Sequence, residues 1–233
     1  MKKTALLLII PTFLCMSFAY ALTDSETRNL GDFDEVKVSS GIKLMLVPGN
    51  ANKALIEVDE VELEDVITKI DGHKLVIKMA NKKWSWKWKS SRKVEVTLTY
   101  KELEAVSESS GSSVKSDHTL SNDELEFDAS SGVSIHLEIS GKDVEADASS
   151  GANIKLSGTA DSFDVGVSSG SSIKASDLEA VSVTARGSSG GSIRVWAKED
   201  LKAKVSSGAS VRQKGNPKDI DKDKSSGGSV SKV

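Results

Sequence analysis

The triplet Ser-Ser-Gly recurs at residues 109–111, 130–132, 149–151, 168–170, 188–190, 206–208 and 225–227, with an eighth copy set apart at 39–41. The steps between the seven are 21, 19, 19, 20, 18 and 19 residues, about 19 on average, the range in which each repeat is one coil of a solenoid. A landmark at such even intervals confines the chain to stacked units whose equivalent residues line up in rows.

The register inside each unit identifies the units as β. Ahead of the glycine, apolar residues alternate with polar ones, as in Leu125, Phe127, Ala129 and in Val144, Ala146, Ala148. The third residue after it is always Val or Ile: Val114, Ile135, Ile154, Ile173, Ile193, Val211 and Val230. Period two on both sides means two short strands per coil, each with one face inward. Ser-Ser-Gly is then the corner, with glycine supplying the positive φ of a tight bend. The second residue after glycine is Ser113, Ser134, Asn153, Ser172, Ser192, Ser210 or Ser229, a row of short polar side chains able to satisfy backbone groups at that bend. Residues 103–233 therefore read as a parallel β-solenoid with about 19-residue coils. The last approach segment, Pro217 to Lys224, loses the apolar alternation and fills with charge, as a capped solenoid end should.

Residues 22–102 read as a non-repetitive β region continuous with the solenoid and packed on its N-terminal end. Val36 to Val38, Ile42 to Val47, Leu55 to Val58, Val66 to Ile70, Leu75 to Met79 and Val94 to Tyr100 alternate, with Asp71-Gly72 a turn and Glu60 to Asp65 one helical turn. No Pro- or Gly-rich linker divides the halves, so one body is expected.

At the start, Lys2 and Lys3 precede an apolar run from Ala5 to Phe18 and the small-x-small site Ala19-Tyr20-Ala21. This is the pattern of an export signal, residues 1–21, cleaved after Ala21, and too short for a comfortable membrane span. Its removal takes Cys15, the chain's one cysteine, so the mature chain relies on packing and backbone hydrogen bonds, without disulfides. The full chain carries a formal charge of −3, against the basic balance that nucleic-acid binding needs. The expected location is the periplasm or the cell surface, with no integral membrane span after processing.

The residues Phe33-Asp34-Glu35-Val36-Lys37-Val38-Ser39-Ser40-Gly41, the stretch Val94-Glu95-Val96-Thr97-Leu98 leading to Leu103, and units such as Ser150-Gly151-Ala152-Asn153-Ile154 together resemble the family of exported proteins with a putative auto-transporter adhesin, head GIN domain. The resemblance covers about residues 30–230. It implies a right-handed β-helix-like body, similar in shape to pectin lyases, and an adhesive role, and it brings no catalytic residues.

Three features could carry function. Four residues after each glycine come Lys115, His136, Lys155, Lys174, Arg194 and Arg212. Like charges stacked about 4.8 Å apart repel by roughly 0.9 kcal/mol per pair in water before screening, so this column is either neutralised by nearby carboxylates or used, as a strip about 24 Å long, against an anionic glycan or cell-surface polymer. Trp84, Trp86 and Trp88, interleaved with lysines, share one face of a strand. They are either core or a surface for sugar stacking or a membrane interface. Asp128 with Asp147, and Glu126 with Glu145 and Asp164, stack on the approach strands. They either hold water or serve a polysaccharide-processing enzyme. The histidines His73, His118 and His136 fall on separate segments, so no metal, cofactor or serine-nucleophile site is expected. The reading is a non-enzymatic cell-envelope protein that makes surface contacts by adhesion or carbohydrate binding. The alternatives are the enzyme and a structural scaffold without a soluble ligand, with oligomers formed through solenoid ends or edges.

Overall fold

The computed structural model describes residues 24–80 and 92–233. The expected export signal and the stripe Trp84-Trp86-Trp88 lie outside the described residues. The rest is all β. Its strands are β1 (Asp24–Asn29), β2 (Glu35–Val38), β3 (Lys43–Pro48), β4 (Lys53–Asp59), β5 (Val66–Asp71), β6 (Lys74–Met79), β7 (Lys93–Tyr100), β8 (Ala105–Glu108), β9 (Ser113–Ser116), β10 (Leu120–Ser121), β11 (Glu124–Ala129), β12 (Ser134–Ala148), β13 (Asn153–Val167), β14 (Ser172–Gly187), β15 (Ser192–Val205), β16 (Ser210–Lys214), β17 (Asp219–Lys224) and β18 (Ser229–Lys232). One 3-10 turn, Leu63–Asp65, falls within the stretch expected to be helical.

From residue 105 onward, the strands pair parallel and in register, coil upon coil: Ile135↔Ile154↔Ile173↔Ile193↔Val211. The inward residues on both sides of the corner form one buried core built largely of Val, Ile, Leu and Ala, with Phe127 and Phe163 its largest fully buried side chains.

Each corner holds two left-handed residues in succession, not one. Ser150 has φ 51° and Gly151 φ 75°, and the Ser149 carbonyl accepts the Ala152 N–H at 3.0 Å, the pattern of a type I′ turn. All eight triplets share the two left-handed residues, including Ser40 (φ 72°) with Gly41 (φ 77°). The glycine N–H of each corner donates to the left-handed serine's carbonyl one coil on, from Gly41 to Ser110 (3.0 Å) through to Gly208 to Ser226 (3.2 Å). Backbone groups thus satisfy the bend. Of the polar row two residues after glycine, only Asn153 reaches the bend among the described residues, through Nδ2 to the Gly151 carbonyl at 3.4 Å.

The triplet at 39–41 belongs to this stack. It is flanked by β2 and β3, which pair parallel with β8 and β9 (Val38↔Glu108, Leu44↔Val114). Between these two coils the chain makes an excursion. β6 pairs parallel with β2 and antiparallel with β5, while β7 pairs parallel with β3 and antiparallel with β4, which also takes β1. These hairpins cover the starting end, and the Arg28 guanidinium ties them together by donating to the Leu63 and Val66 carbonyls and to Thr68 Oγ1.

Opposite the tight corner, β12 to β15 bend without a break in strand structure. Differences in coil length are absorbed there: the β13–β14 register shifts between Lys155 and Ser157, and the β14–β15 register between Ala175 and Glu179. Gly158 (φ 112°) permits one such bend, because a Cβ there would stand 2.0 Å from the Ile139 carbonyl oxygen. At the far end β17 is exposed throughout, and Lys222 and Lys224 occupy the rows filled one coil earlier by Ala203 and Val205. Inward register positions taken by charge mark a blunted edge.

Candidate functional site

The strands that follow the corner present a flat outer face whose rows are set by the register. The row four residues after glycine runs Lys115↔His136↔Lys155↔Lys174↔Arg194↔Arg212 without a slip. Every member is exposed. None takes part in the ion pairs found among the described residues. Of the two readings of this column, neutralisation by adjoining carboxylates finds no direct contact. The row two residues after glycine is Ser or Asn, so small neutral side chains leave the cations prominent.

Two residues further along, the register sets Glu138, whose carboxylate accepts the Thr119 hydroxyl at 3.0 Å, beside Ser157, and Ser157 beside Asp177, while the shift after Ala175 places Trp196 between Glu179 and Lys214. Trp196 and Lys214 are register partners. The Lys214 ammonium lies 3.8 Å from the centroid of the half-buried Trp196 ring and donates to the Ser176 carbonyl, a cation held over an indole face. Trp196 is thus a further aromatic on the basic face, two residues beyond Arg194. The alternation that places Arg194 outward places Trp196 outward too, whereas its partner one coil on depends on the stacking.

The approach strands carry the opposite charge. Glu124↔Asp143, Glu126↔Glu145 and Asp128↔Asp147 are register partners across β11 and β12, forming an exposed grid of six carboxylates. Burial and the neighbouring carboxylates Asp128 and Glu35 raise the Glu126 carboxyl above its ordinary value. Burial, then Asp147 and Asp164, does the same to Glu145. Asp147, raised by burial and by Asp128, folds over Gly166, where a Cβ would stand 2.0 Å from its Oδ1. Asp164 is ion-paired with Arg186 at 2.7 Å. Two grooves follow this face, one of about 360 Å³ over Glu126 and Glu145 and one of about 550 Å³ running from Asp128 and Asp147 to Arg186 and Lys204.

The histidines are scattered. His73, in the β5–β6 turn, stands 3.6 Å from Asp34; His118 lies between β9 and β10; His136 is in the basic column. Among the described residues no helix is long and apolar enough to cross a membrane.

The family whose description reads "Putative auto-transporter adhesin, head GIN domain" matches residues 32–217. The fold is similar to a putative adhesin from Bacteroides fragilis, at 16% identity and TM-score 0.84, with 92% of this chain and 98% of that one covered. A putative adhesin from Parabacteroides merdae aligns at 19% identity and TM-score 0.72 over 91% and 96% of the two chains. A protein from Parabacteroides distasonis, named a putative lipid binding protein, aligns at 21% identity and TM-score 0.66 over 91% and 96%. No curated protein matches the chain.

Proposed function

The chain belongs to the putative auto-transporter adhesin, head GIN domain family, and from that premise we propose that it is an exported, non-enzymatic protein of the cell envelope that holds an anionic polymer, an acidic glycan above all, along its basic face. The observation that carries this reading is the unbroken row from Lys115 to Arg212, exposed and without ion-pair partners among the described residues. One surface ion pair is worth only about 0–1 kcal/mol. A rigid row of five Lys or Arg spaced by the strand repeat offers a flexible polyanion many such pairs at once, and each later contact is made at high effective concentration. Trp196 adds a ring at one end of the strip, and Trp84, Trp86 and Trp88 are proposed as a second, aromatic contact for sugar rings.

Retention on an immobilised uronic-acid or sulfated polysaccharide tests the proposal. Binding should be strong at about 0.01 M salt, where the screening length is about 30 Å, and lost near 1 M, where it is about 3 Å. The double variant Lys155→Glu, Lys174→Glu should bind at least about tenfold more weakly while keeping its β circular dichroism, since these exposed side chains make no packing contribution. Retention indifferent to salt or to this variant would overturn the reading. Vesicles of anionic phospholipid belong in the same experiment, because the Parabacteroides distasonis structure is named for lipid binding. Preference for the vesicles would replace the glycan as the partner.

A further inference from the structure

We propose that a second copy of this chain is a partner of the basic face, the row of one molecule lying on the carboxylate grid of the next. The two surfaces are opposite in charge and belong to the two sheets that enclose one core. On one sheet, Lys155, Lys174 and Arg194 succeed one another coil by coil. On the other, Glu124, Glu126 and Asp128 are followed one coil later by Asp143, Glu145 and Asp147. None of these nine side chains has an ion-pair partner among the described residues.

Pitch supports the match as well as charge. Both rows are generated by the spacing between neighbouring strands, about 4.8 Å. Cations on one copy therefore meet carboxylates on another at the same interval over the two coils that carry the grid, without the progressive mismatch an unrelated polymer would bring. The grid has a reason to accept cations: burial and crowding already raise Glu126, Glu145 and Asp147 from their ordinary values, and a cation alongside relieves that repulsion. The contact joins two different faces, so it is heterologous, and each added copy presents a free face to the next. The product is a side-by-side row of solenoids rather than a closed dimer.

Sedimentation velocity of the mature chain tests this. At about 0.01 M salt the sedimentation coefficient should rise with protein concentration, and near 1 M it should return to the monomer value. Lys155→Glu, Lys174→Glu alters one face and Glu126→Lys, Glu145→Lys the other. Each variant alone should stay monomeric at low salt, and an equimolar mixture should associate again, because every altered face then meets a complementary one. A wild-type chain monomeric throughout at low salt, or a mixture that stays monomeric, overturns the proposal. So does association that survives 1 M salt. The carboxylate-face variant should still bind immobilised polysaccharide, so loss of self-association and loss of glycan binding are read separately.

Discussion

Glu108 occupies an inward position, register-paired with Val38 on one side and Ala129 on the other, and is 3% exposed. Neither carboxylate oxygen is hydrogen-bonded. The Ser112 hydroxyl and Ser134 amide lie near it without bonding geometry, and Ser112 Oγ donates to the Ser109 carbonyl at 2.7 Å. Burial pushes the carboxyl from 4.5 up to about 8. The folded state therefore binds this proton more tightly than the unfolded chain, and the associated stability is fully present below pH 4.5 and lost as pH rises to about 8. The loss has a slope of at most about 1.4 kcal/mol per pH unit. Glu108→Gln should flatten that slope, so the difference in Tm between variant and wild type should widen from pH 5 to pH 8.5 in favour of the variant. A constant difference would show that Glu108 does not titrate in this window. At the corners, Gly151→Ala meets open space and only the cost of φ 75°, about 1–2 kcal/mol. Gly158→Ala must also drive a Cβ against the Ile139 carbonyl and should cost more than about 3 kcal/mol. Denaturant midpoints of the two variants should fall in that order, and equal losses would contradict the bend geometry.

Among the elements, the tight corner and the open bend divide the work of the coil. The corner is locked by the glycine-to-serine ladder in every coil, while the bend absorbs each change in coil length. This is why steps of 18 to 21 residues still keep the triplets in line. The last element, β17, ends the stack with Lys222 and Lys224 in rows that are otherwise apolar. An ammonium in such a row makes pairing with another strand edge costly, because docking would bury it without a partner. Lys222→Val with Lys224→Val should extend the apolar rows to the edge and yield soluble oligomers or aggregates at high salt, detected by light scattering. A monomeric double variant would mean that the lysines do not guard the edge. The strands of both halves were legible because alternation is a local property of each segment. β1 was not, since its side chains are exposed or half-buried throughout and leave no apolar stripe.

At the level of the whole molecule, each coil chiefly contacts its neighbours, as the sequential pairing of β12 through β16 shows. Stability is then close to a sum of coil and interface contributions. Deleting residues 149–167, one 19-residue unit that carries Lys155, joins equivalent points of successive coils. The shortened chain should keep its β circular dichroism and cooperative melting at a lower Tm, and bind polyanion more weakly by about one cation's contribution. Failure to fold would show that the coils are not interchangeable.

Inward and outward positions, the corners and the order of cations along the row were all determined by the amino-acid sequence, because period two and the near-19-residue repeat act on each coil alone. Three things were decided only by the tertiary structure: the triplet at 39–41 joins the stack across residues 49–104, Lys214 covers Trp196, and no member of the cation row is ion-paired among the described residues. The physical reason is common to all three. Each is a contact, or the lack of one, between residues on different strands, and it is settled by which strand edges pair and by how side chains pack once they have paired.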